Sequence, residues 1–247
     1  MIIIIIIILL PIFQFYYNPI KVKSLKGAVV LSENVKLSFK GWFSGDYQKK
    51  KEKYLNDNFG FRSDFVRINN QIKYSLFRQV NANGLIIGKN NYLYELNYIK
   101  AYYGMDFIGK DSIEHQLSKL KFIQDTLKKL NKNFILIFAA GKASFYPEYI
   151  PDEYKKQKSI TNYEYMKMMA DNKNINIIDF NNYFINNKNK SKYPLYPQYG
   201  IHWSNYGMCL VIDSLIKYIE NKRGIDIPEF YWNDIEITEK YREPDYD

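Results

Sequence analysis

The chain has 247 residues, of which 47% are hydrophobic and 25% charged, a balance that is typical of a globular protein and excludes a disordered one. Its 35 lysines and arginines against 26 aspartates and glutamates give a net charge of +9. The lysines are scattered apart from a cluster at 49–53, so this surplus does not predict a nucleic-acid partner.

An apolar segment opens the chain, with an unbroken aliphatic run from Ile2 to Leu10 and further apolar side chains as far as Tyr17. The run has the length of a secretory h-region, about 7–15 residues, and is shorter than the roughly 20 residues of a spanning helix. No basic residue precedes it, no small-residue cleavage site follows, and lysines come after it. We predict that residues 1–20 are an N-terminal hydrophobic anchor or signal-like segment that contacts the membrane through residues 2–17. An uncleaved anchor that lacks its first residues is the preferred form, and a buried strand is the weaker alternative.

Residues 21–110 are predicted to be a helical and hairpin lead-in. Its elements are an extended approach with a short strand at Val29–Leu31, a polar helix from Ser44 to Asn56, a turn at 58–62, a second helix, and a hairpin formed by Gly84–Gly88 and Tyr92–Glu95. Ser63 is the expected N-cap of the second helix. The apolar side chains of that helix recur on one face: Phe65, Ile68, Ile72 and Leu76.

Residues 111–247 alternate helices and strands. The elements are a helix from Asp111 or Ser112 to Leu130, the strand Phe134–Phe138, the helix Thr161–Asp171, the strand Ile175–Asp179, and a helix between an N-cap at Ser204 and a stop at Gly224. The first strand is apolar throughout, as expected of a parallel strand covered on both faces. This order predicts a three-layer α/β fold around a parallel sheet. We expect His115 to be a surface residue and Cys209 a packing residue.

Candidate site residues follow the carboxyl ends of these strands, where ligands bind in open α/β sheets. They are Lys142, Tyr146 and Glu148 after the first strand, Asp179 at the end of the second, and His202 with its neighbour Trp203. His202 stands just before the N-terminus of the last helix, whose field disfavours imidazolium, so we expect a neutral ring that can accept a proton near pH 7. The alternatives are a structural histidine beside Trp203, a lysine that only covers a strand end, and a tyrosine that only shapes a turn with Pro147.

Three stretches carry a resemblance to a known family. The first is N-D-N-F-G-F-R at Asn56–Arg62, which is followed by G-K-N-N-Y-L-Y-E at Gly88–Glu95. The second is K-A-S-F-Y-P-E-Y-I-P at Lys142–Pro151, and the third is G-I-H-W-S at Gly200–Ser204. In this order and spacing, across about residues 44–220, the chain resembles the alginate O-acetyltransferase family of the AlgX/AlgJ type, which is SGNH-hydrolase-like.

The resemblance implies a flavodoxin-like parallel sheet that supports Ser-His-Asp acyl transfer in the cell envelope, in a membrane-anchored or periplasmic protein. His202 matches the general base, which would activate a serine later in the chain. The implied partners are a polysaccharide acceptor, an acetyl donor and, optionally, a membrane-bound protein that transfers acetyl. No cofactor is expected, and the two distant histidines and single cysteine predict no metal site.

The chain departs from the family pattern in two ways. Gly200 stands where the family places the aspartate that orients the histidine, so that Asp179 or Glu148 would have to replace it. No serine lies in a G-D-S or G-x-S-x-G turn, so the nucleophile is not identified. We therefore expect residues 111–247 to be a partial SGNH-hydrolase-like domain without its C-terminal strands and nucleophile, in a truncated or degenerate family member.

The favoured function is an acyltransferase that O-acetylates an exported polysaccharide. An acetyl esterase of the same fold is one alternative. A non-catalytic carbohydrate-binding or scaffold module is another, and it would hold glycan through surface aromatic side chains: Tyr193, Tyr196, Tyr199 and Trp203.

Overall fold

The computed structural model describes residues 2–25 and 30–228. Two compact units divide the chain between Asn81 and Ala82. The sequence places a boundary at 110/111 instead. The hairpin region belongs to the second unit because Tyr94 shares a hydrophobic core with Ala143 and Ile150.

The first unit is helical in its described part. Its helices are α1 (Ile2–Tyr17), α2 (Phe39–Ser44), α3 (Asp46–Asn58) and α4 (Arg62–Phe77). The helix predicted from Ser44 is α3, which begins after Gly45 because that glycine adopts a φ of 80°. α2 falls in a stretch predicted to be extended. Val29 lies outside the described residues, and Val30 and Leu31 are not in a strand.

The start of α4 differs from the prediction. Its N-cap is Phe61, which has a φ of 61°, and no side chain caps the helix. The prediction that Ser63 caps α4 is wrong, because Ser63 lies inside the first turn. The expected apolar face forms but is not covered, and its side chains are 45–70% exposed: Phe65, Ile68, Ile72 and Leu76.

The turn between α3 and α4 packs against α1 through Gly60. A Cβ atom here would collide with the carbonyl oxygen of Pro11 and lie 2.6 Å from Cβ of Gln14, so the close approach requires glycine. Beside this turn, hydrogen bonds from Ser32 and Lys53 hold the pKa of Asp57 at about 2. Among the described residues, none of the helices has both the length and the apolar character required to span a bilayer.

The second unit opens with the predicted hairpin. β1 (Leu85–Ile87) and β2 (Leu93–Glu95) are antiparallel, with Ile86 opposite Tyr94. The later elements are α5 (Leu96–Tyr102), α6 (Lys110–Lys129), β3 (Leu136–Phe138), α7 (Lys142–Phe145), α8 (Asn162–Asn172), β4 (Ile177–Asp179), α9 (Phe180–Asn187) and α10 (Asn205–Arg223). His115 is exposed on α6, as predicted.

The predicted order of helices and strands around a parallel pair is confirmed. β3 and β4 are parallel, with Ile137 opposite Ile178, and the described residues contain no third strand in this sheet. The prediction that both faces of the first strand are covered is wrong, because Ile137 is 42% exposed. The described sheet is therefore open on one face.

A hydrophobic core joins α6 and α8 to the start of β4. Its buried members are Ile113, Leu117, Tyr165, Ala170 and Ile175. α8 begins with a capping box in which the Thr161 hydroxyl and the Glu164 carboxylate each bond the other residue's backbone N–H. α10 begins at the predicted N-cap Ser204 and ends at Gly224, which has a φ of 61°. These local signals place both helix starts where the sequence predicts them.

Candidate active site

A buried lysine lies at the centre of the candidate site. Lys142 begins α7, just after β3, and its side chain is 0% exposed. Its Nζ donates hydrogen bonds to the backbone carbonyl oxygens of Pro197 at 2.7 Å, Gln198 at 2.9 Å and Gly200 at 2.6 Å. An ammonium group has three N–H donors, so all of its donors are satisfied by one loop.

Two tyrosine rings lie beside this ammonium, and two more tyrosines pack on them. Nζ of Lys142 lies 5.4 Å from the ring centroid of Tyr92 and 5.6 Å from that of Tyr94. Tyr92 stacks on Tyr149 at 4.1 Å with an interplanar angle of 9°. The Tyr94 hydroxyl donates to the Tyr146 carbonyl oxygen at 2.5 Å. The rings supply cation–π attraction and exclude water from the ammonium.

Burial shifts the pKa values of these groups in opposite directions. It lowers the pKa of Lys142 from 10.5 to about 7, because the charged form loses its water. The three carbonyl dipoles favour the charged form and act against this shift. Burial also raises the pKa of Tyr146 to about 12 and that of Tyr94 further. Both phenols are therefore neutral near pH 7.

Further hydrogen bonds hold the same loop on the hairpin and on the residues just after β3. The Leu93 N–H donates to the Gln198 carbonyl oxygen at 2.9 Å, and Gln198 Nε2 donates to the Asn90 carbonyl oxygen at 2.5 Å. The Tyr196 hydroxyl donates to the Ala140 carbonyl oxygen at 2.6 Å. The backbone from 196 to 200 is thus attached on two sides.

The chain after His202 is held as firmly as the chain before it. The Ser204 N–H donates to the Leu195 carbonyl oxygen at 2.8 Å, and its hydroxyl donates to the Pro194 carbonyl oxygen at 2.6 Å. The Trp203 ring packs edge-on against Phe184, with centroids 5.5 Å apart. One fixed point is therefore Gly200, which is bonded to Lys142, and the other is Ser204. Only residues 201–203 lie between these two points.

His202 lies on that short span. The residue is exposed, and no hydrogen bond joins its ring to any other described residue. It precedes the N-terminus of α10, whose Ser204 hydroxyl accepts from the Gly207 N–H at 3.0 Å. A fixed backbone that carries a free ring can present a nitrogen atom to a substrate. Whether His202 acts as the general base remains a prediction.

The two carboxylates considered as replacements for the missing aspartate have other partners. Asp179 caps α9 by accepting from the Asn182 N–H at 2.9 Å, and it accepts from the Tyr163 hydroxyl at 2.8 Å. Glu148 pairs with Lys188 at 2.6 Å. Neither carboxylate has a hydrogen bond to His202 among the described residues. Their role in orienting the ring therefore gains no support from these contacts.

Three of the four aromatic side chains considered for glycan binding pack against neighbouring rings, and one of them is buried. Tyr196 is 3% exposed, and Trp203 belongs with it to one hydrophobic cluster. Tyr193 packs edge-on against Tyr206 at 5.1 Å. Tyr199 is the exception, at 47% exposed. One open ring is a poor platform for a saccharide chain.

Three of the family-like stretches meet in space, and the sequence did not predict that the hairpin stretch joins the other two. Gly88–Glu95 supplies the tyrosines over the lysine, Lys142–Pro151 supplies the lysine itself, and Gly200–Ser204 supplies a carbonyl acceptor and the histidine. The remaining stretch, Asn56–Arg62, lies in the first unit. The only available signal was a lysine inside an otherwise apolar and aromatic stretch, K-A-S-F-Y.

Comparison with known proteins identifies the family of the chain. Residues 85–231 match the family described as SGNH hydrolase-like domain, acetyltransferase AlgX. The chain belongs to this family. An AlgX-family member has an SGNH-hydrolase-like α/β fold, which confirms the predicted fold class and the resemblance of the sequence. The match begins at β1, so the hairpin is part of the family domain.

One solved structure similar to the chain is the O-acetyltransferase domain of AlgJ from Pseudomonas putida. The two are 17% identical and superpose with a TM-score of 0.46, over 59% of this chain and 50% of that one. The chain therefore spans about half the length of this relative. A comparison with curated proteins found no match.

Proposed function

We propose that this AlgX-family protein takes part in the O-acetylation of an exported polysaccharide of the alginate type, with His202 as the general base. The observation that carries the proposal is a free, exposed imidazole on a backbone held at Gly200 and at Ser204, inside the segment that matches an acetyltransferase family. A general base needs both properties, a fixed position and an unoccupied nitrogen.

In the proposed reaction the imidazole takes the proton of a serine hydroxyl as the serine oxygen attacks the acetyl carbonyl carbon of the donor. The bond to the donor oxygen breaks, and that oxygen leaves with the proton from the imidazolium. A sugar hydroxyl then attacks the acyl-serine, again with His202 as base, which regenerates the serine. No serine of the chain has the family's nucleophile pattern, so the proposal assigns the base and not the nucleophile.

The test is acetyl transfer from an activated acetyl ester to mannuronate oligosaccharides, followed by mass spectrometry of the products. His202→Ala should lower the rate about 10²- to 10⁴-fold, the range expected for loss of a general base. His115→Ala is the matched control, since it removes the other histidine, which is exposed on α6. Equal rates for the wild type and His202→Ala would overturn the assignment.

The same assay separates the transferase from the esterase alternative. An esterase passes the acetyl group to water, so acetate would accumulate at the same rate with or without the oligosaccharide. A transferase yields acetylated oligosaccharide at the expense of acetate. The burial of Tyr196 and the packing of Trp203 against Phe184 favour either chemistry over a glycan-binding module.

We further propose that the protein works in the cell envelope and contacts the membrane through its first unit. Residues 1–81 carry 13 lysines and arginines against 5 aspartates and glutamates, which is +8 of the net +9. Apolar side chains of α1 are about half exposed, among them Ile6 at 53% and Phe13 at 51%. Positive charge beside exposed apolar side chains suits an anionic lipid surface. The acetyl donor and a membrane-bound acetyl-transferring protein remain proposed partners.

A further inference from the structure

Lys142 differs from an ordinary buried lysine in the partners it has. A buried ammonium is usually balanced by a carboxylate, because an uncompensated charge loses its hydration. Here the hydrogen-bond acceptors are three backbone carbonyl oxygens within four residues of one loop, 55–58 residues away in sequence. Such an arrangement holds one backbone conformation, since each acceptor must point to the same atom.

We propose that Lys142 is a positioning residue: its ammonium fixes the loop Pro197–Gly200 and thereby sets where the His202 imidazole stands. The inference rests on the proposed role of His202 as base. Gly200 is the last carbonyl held by the lysine, and His202 follows two residues later. The next fixed point is Ser204, which bonds back to Leu195. If the lysine is removed, the loop keeps its bonds to the hairpin at Gln198, but the Gly200 carbonyl oxygen, the held atom nearest to His202 on this side, loses its partner.

Substitution of the lysine would act on the loop without touching the ring. Methionine has a similar length and no donor, so Lys142→Met removes the donor from the Pro197 and Gly200 carbonyl oxygens, while that of Gln198 keeps the Leu93 N–H. Lys188→Met is the matched control. Lys188 also donates to a backbone carbonyl oxygen, that of Phe145 at 2.6 Å, but it has no hydrogen bond to the loop 197–200.

The chemical shifts of the histidine side chains report a change in the surroundings of the His202 ring. The chain has two histidines, so His115 serves as an internal reference. Lys142→Met should move the imidazole signals of His202 and leave those of His115 in place. Lys188→Met should move neither. Wild-type His202 signals in a folded Lys142→Met protein would overturn the proposal.

A measurement on the wild type keeps the proposal testable if Lys142→Met does not fold. Backbone order parameters at 198–204 should equal those of α10, near the 0.85 of a rigid backbone. Values below about 0.6, typical of a flexible loop, would overturn it.

Kinetics separate positioning from substrate binding. In the acetyl-transfer assay Lys142→Met should lower kcat about 10- to 100-fold with little change in KM, as expected when a catalytic group is misplaced by about 1 Å. An unchanged kcat would contradict the proposal. If no protein transfers acetyl but the His202 signals move, the positioning role holds and the proposed function fails.

Discussion

Gly200 is the residue at which this site departs most from a Ser-His-Asp arrangement. The residues around it leave no room for an aspartate side chain at this position. A Cβ atom at Gly200 would lie 2.7 Å from Cγ of Pro197, which is too close for any side chain without movement of the proline ring. The Gly200 carbonyl oxygen is also fixed by Lys142. The glycine and the lysine-bound loop are therefore parts of one arrangement.

We predict that adding only a Cβ atom at this position destabilises the protein. Gly200→Ala should lower the free energy of unfolding by about 1–3 kcal/mol, the range for overpacking. Gly141→Ala is the control, because its added Cβ would lie 3.8 Å from Ser144 Oγ, an ordinary contact. Urea unfolding measures both. Pro197→Ala together with Gly200→Ala should recover part of the loss, and equal stability of the two alanine variants would contradict the prediction.

The burial of Lys142 predicts a pH dependence of stability. Its pKa is about 7 in the folded protein against an ordinary 10.5, so between these values the unfolded chain binds more protons and stability rises with pH. The gap in unfolding free energy between the wild type and Lys142→Met should widen from pH 7 to about pH 9.5. The increase is at most about 3 kcal/mol, since the carbonyl dipoles oppose the shift.

Urea unfolding of both proteins at several pH values measures this gap. The groups that face the ammonium are the phenols of Tyr92 and Tyr94, whose pKa values burial raises, so they stay neutral in this range. The difference between the two proteins also removes contributions from groups that they share. A gap that stays constant with pH would show that the lysine keeps its charge in the folded state.

At the scale of elements, the side-chain caps of α8 and α10 differ in whether they also contact the loop that carries His202. The Ser204 hydroxyl caps α10 and also donates to Pro194, whereas Thr161 caps α8 away from the loop that carries His202. We predict that Ser204→Ala and Thr161→Ala each lower the free energy of unfolding by about 1 kcal/mol. Only Ser204→Ala should also shift the NMR signals of His202. A shift in both proteins, or in neither, would contradict this assignment of the two caps.

Local signals in the sequence predicted the elements that have strong local causes. Residue patterns predicted α8 and α10, with Ser204 as the cap of α10, and the apolar runs around Lys89–Asn91 predicted the hairpin. The prediction failed at α4, where Phe61 in a left-handed conformation replaces a side-chain cap. It also failed at β3, because the exposure of Ile137 depends on which neighbours cover the sheet and not on the strand itself.

The sequence predicted that Lys142 and His202 lie at the same edge of the sheet, but it did not predict the contacts that join them. His202 was found because a helix start follows it, and Lys142 because a strand end precedes it. The contacts that join them run from one side chain to backbone carbonyl oxygens more than fifty residues away. Backbone acceptors are the same in every residue, so no pattern of residue types marks this pairing.

The whole molecule divides its charge unevenly, which bears on the proposed contact with membrane. The first unit carries nearly all of the net positive charge, and its α2 exposes large aromatic side chains. Phe39 is 84% exposed, Trp42 51% and Phe43 73%. Tryptophan favours the boundary between headgroups and acyl chains, so α2 is a second place, besides α1, at which this unit can meet a bilayer.

The last prediction therefore uses Trp42 as a probe of this contact in the full chain. Vesicles with anionic lipid and brominated acyl chains should quench part of the wild-type fluorescence, and Trp42→Phe should lose that part, since Trp42 is the one tryptophan in the sequence from 1 to 81. High salt should weaken binding, because lysines within a Debye length of the lipid supply attraction. If α1 alone held the protein on the vesicles, binding would be insensitive to salt and lipid charge. The wild type and Trp42→Phe would then lose the same fraction of their fluorescence, which would contradict the prediction.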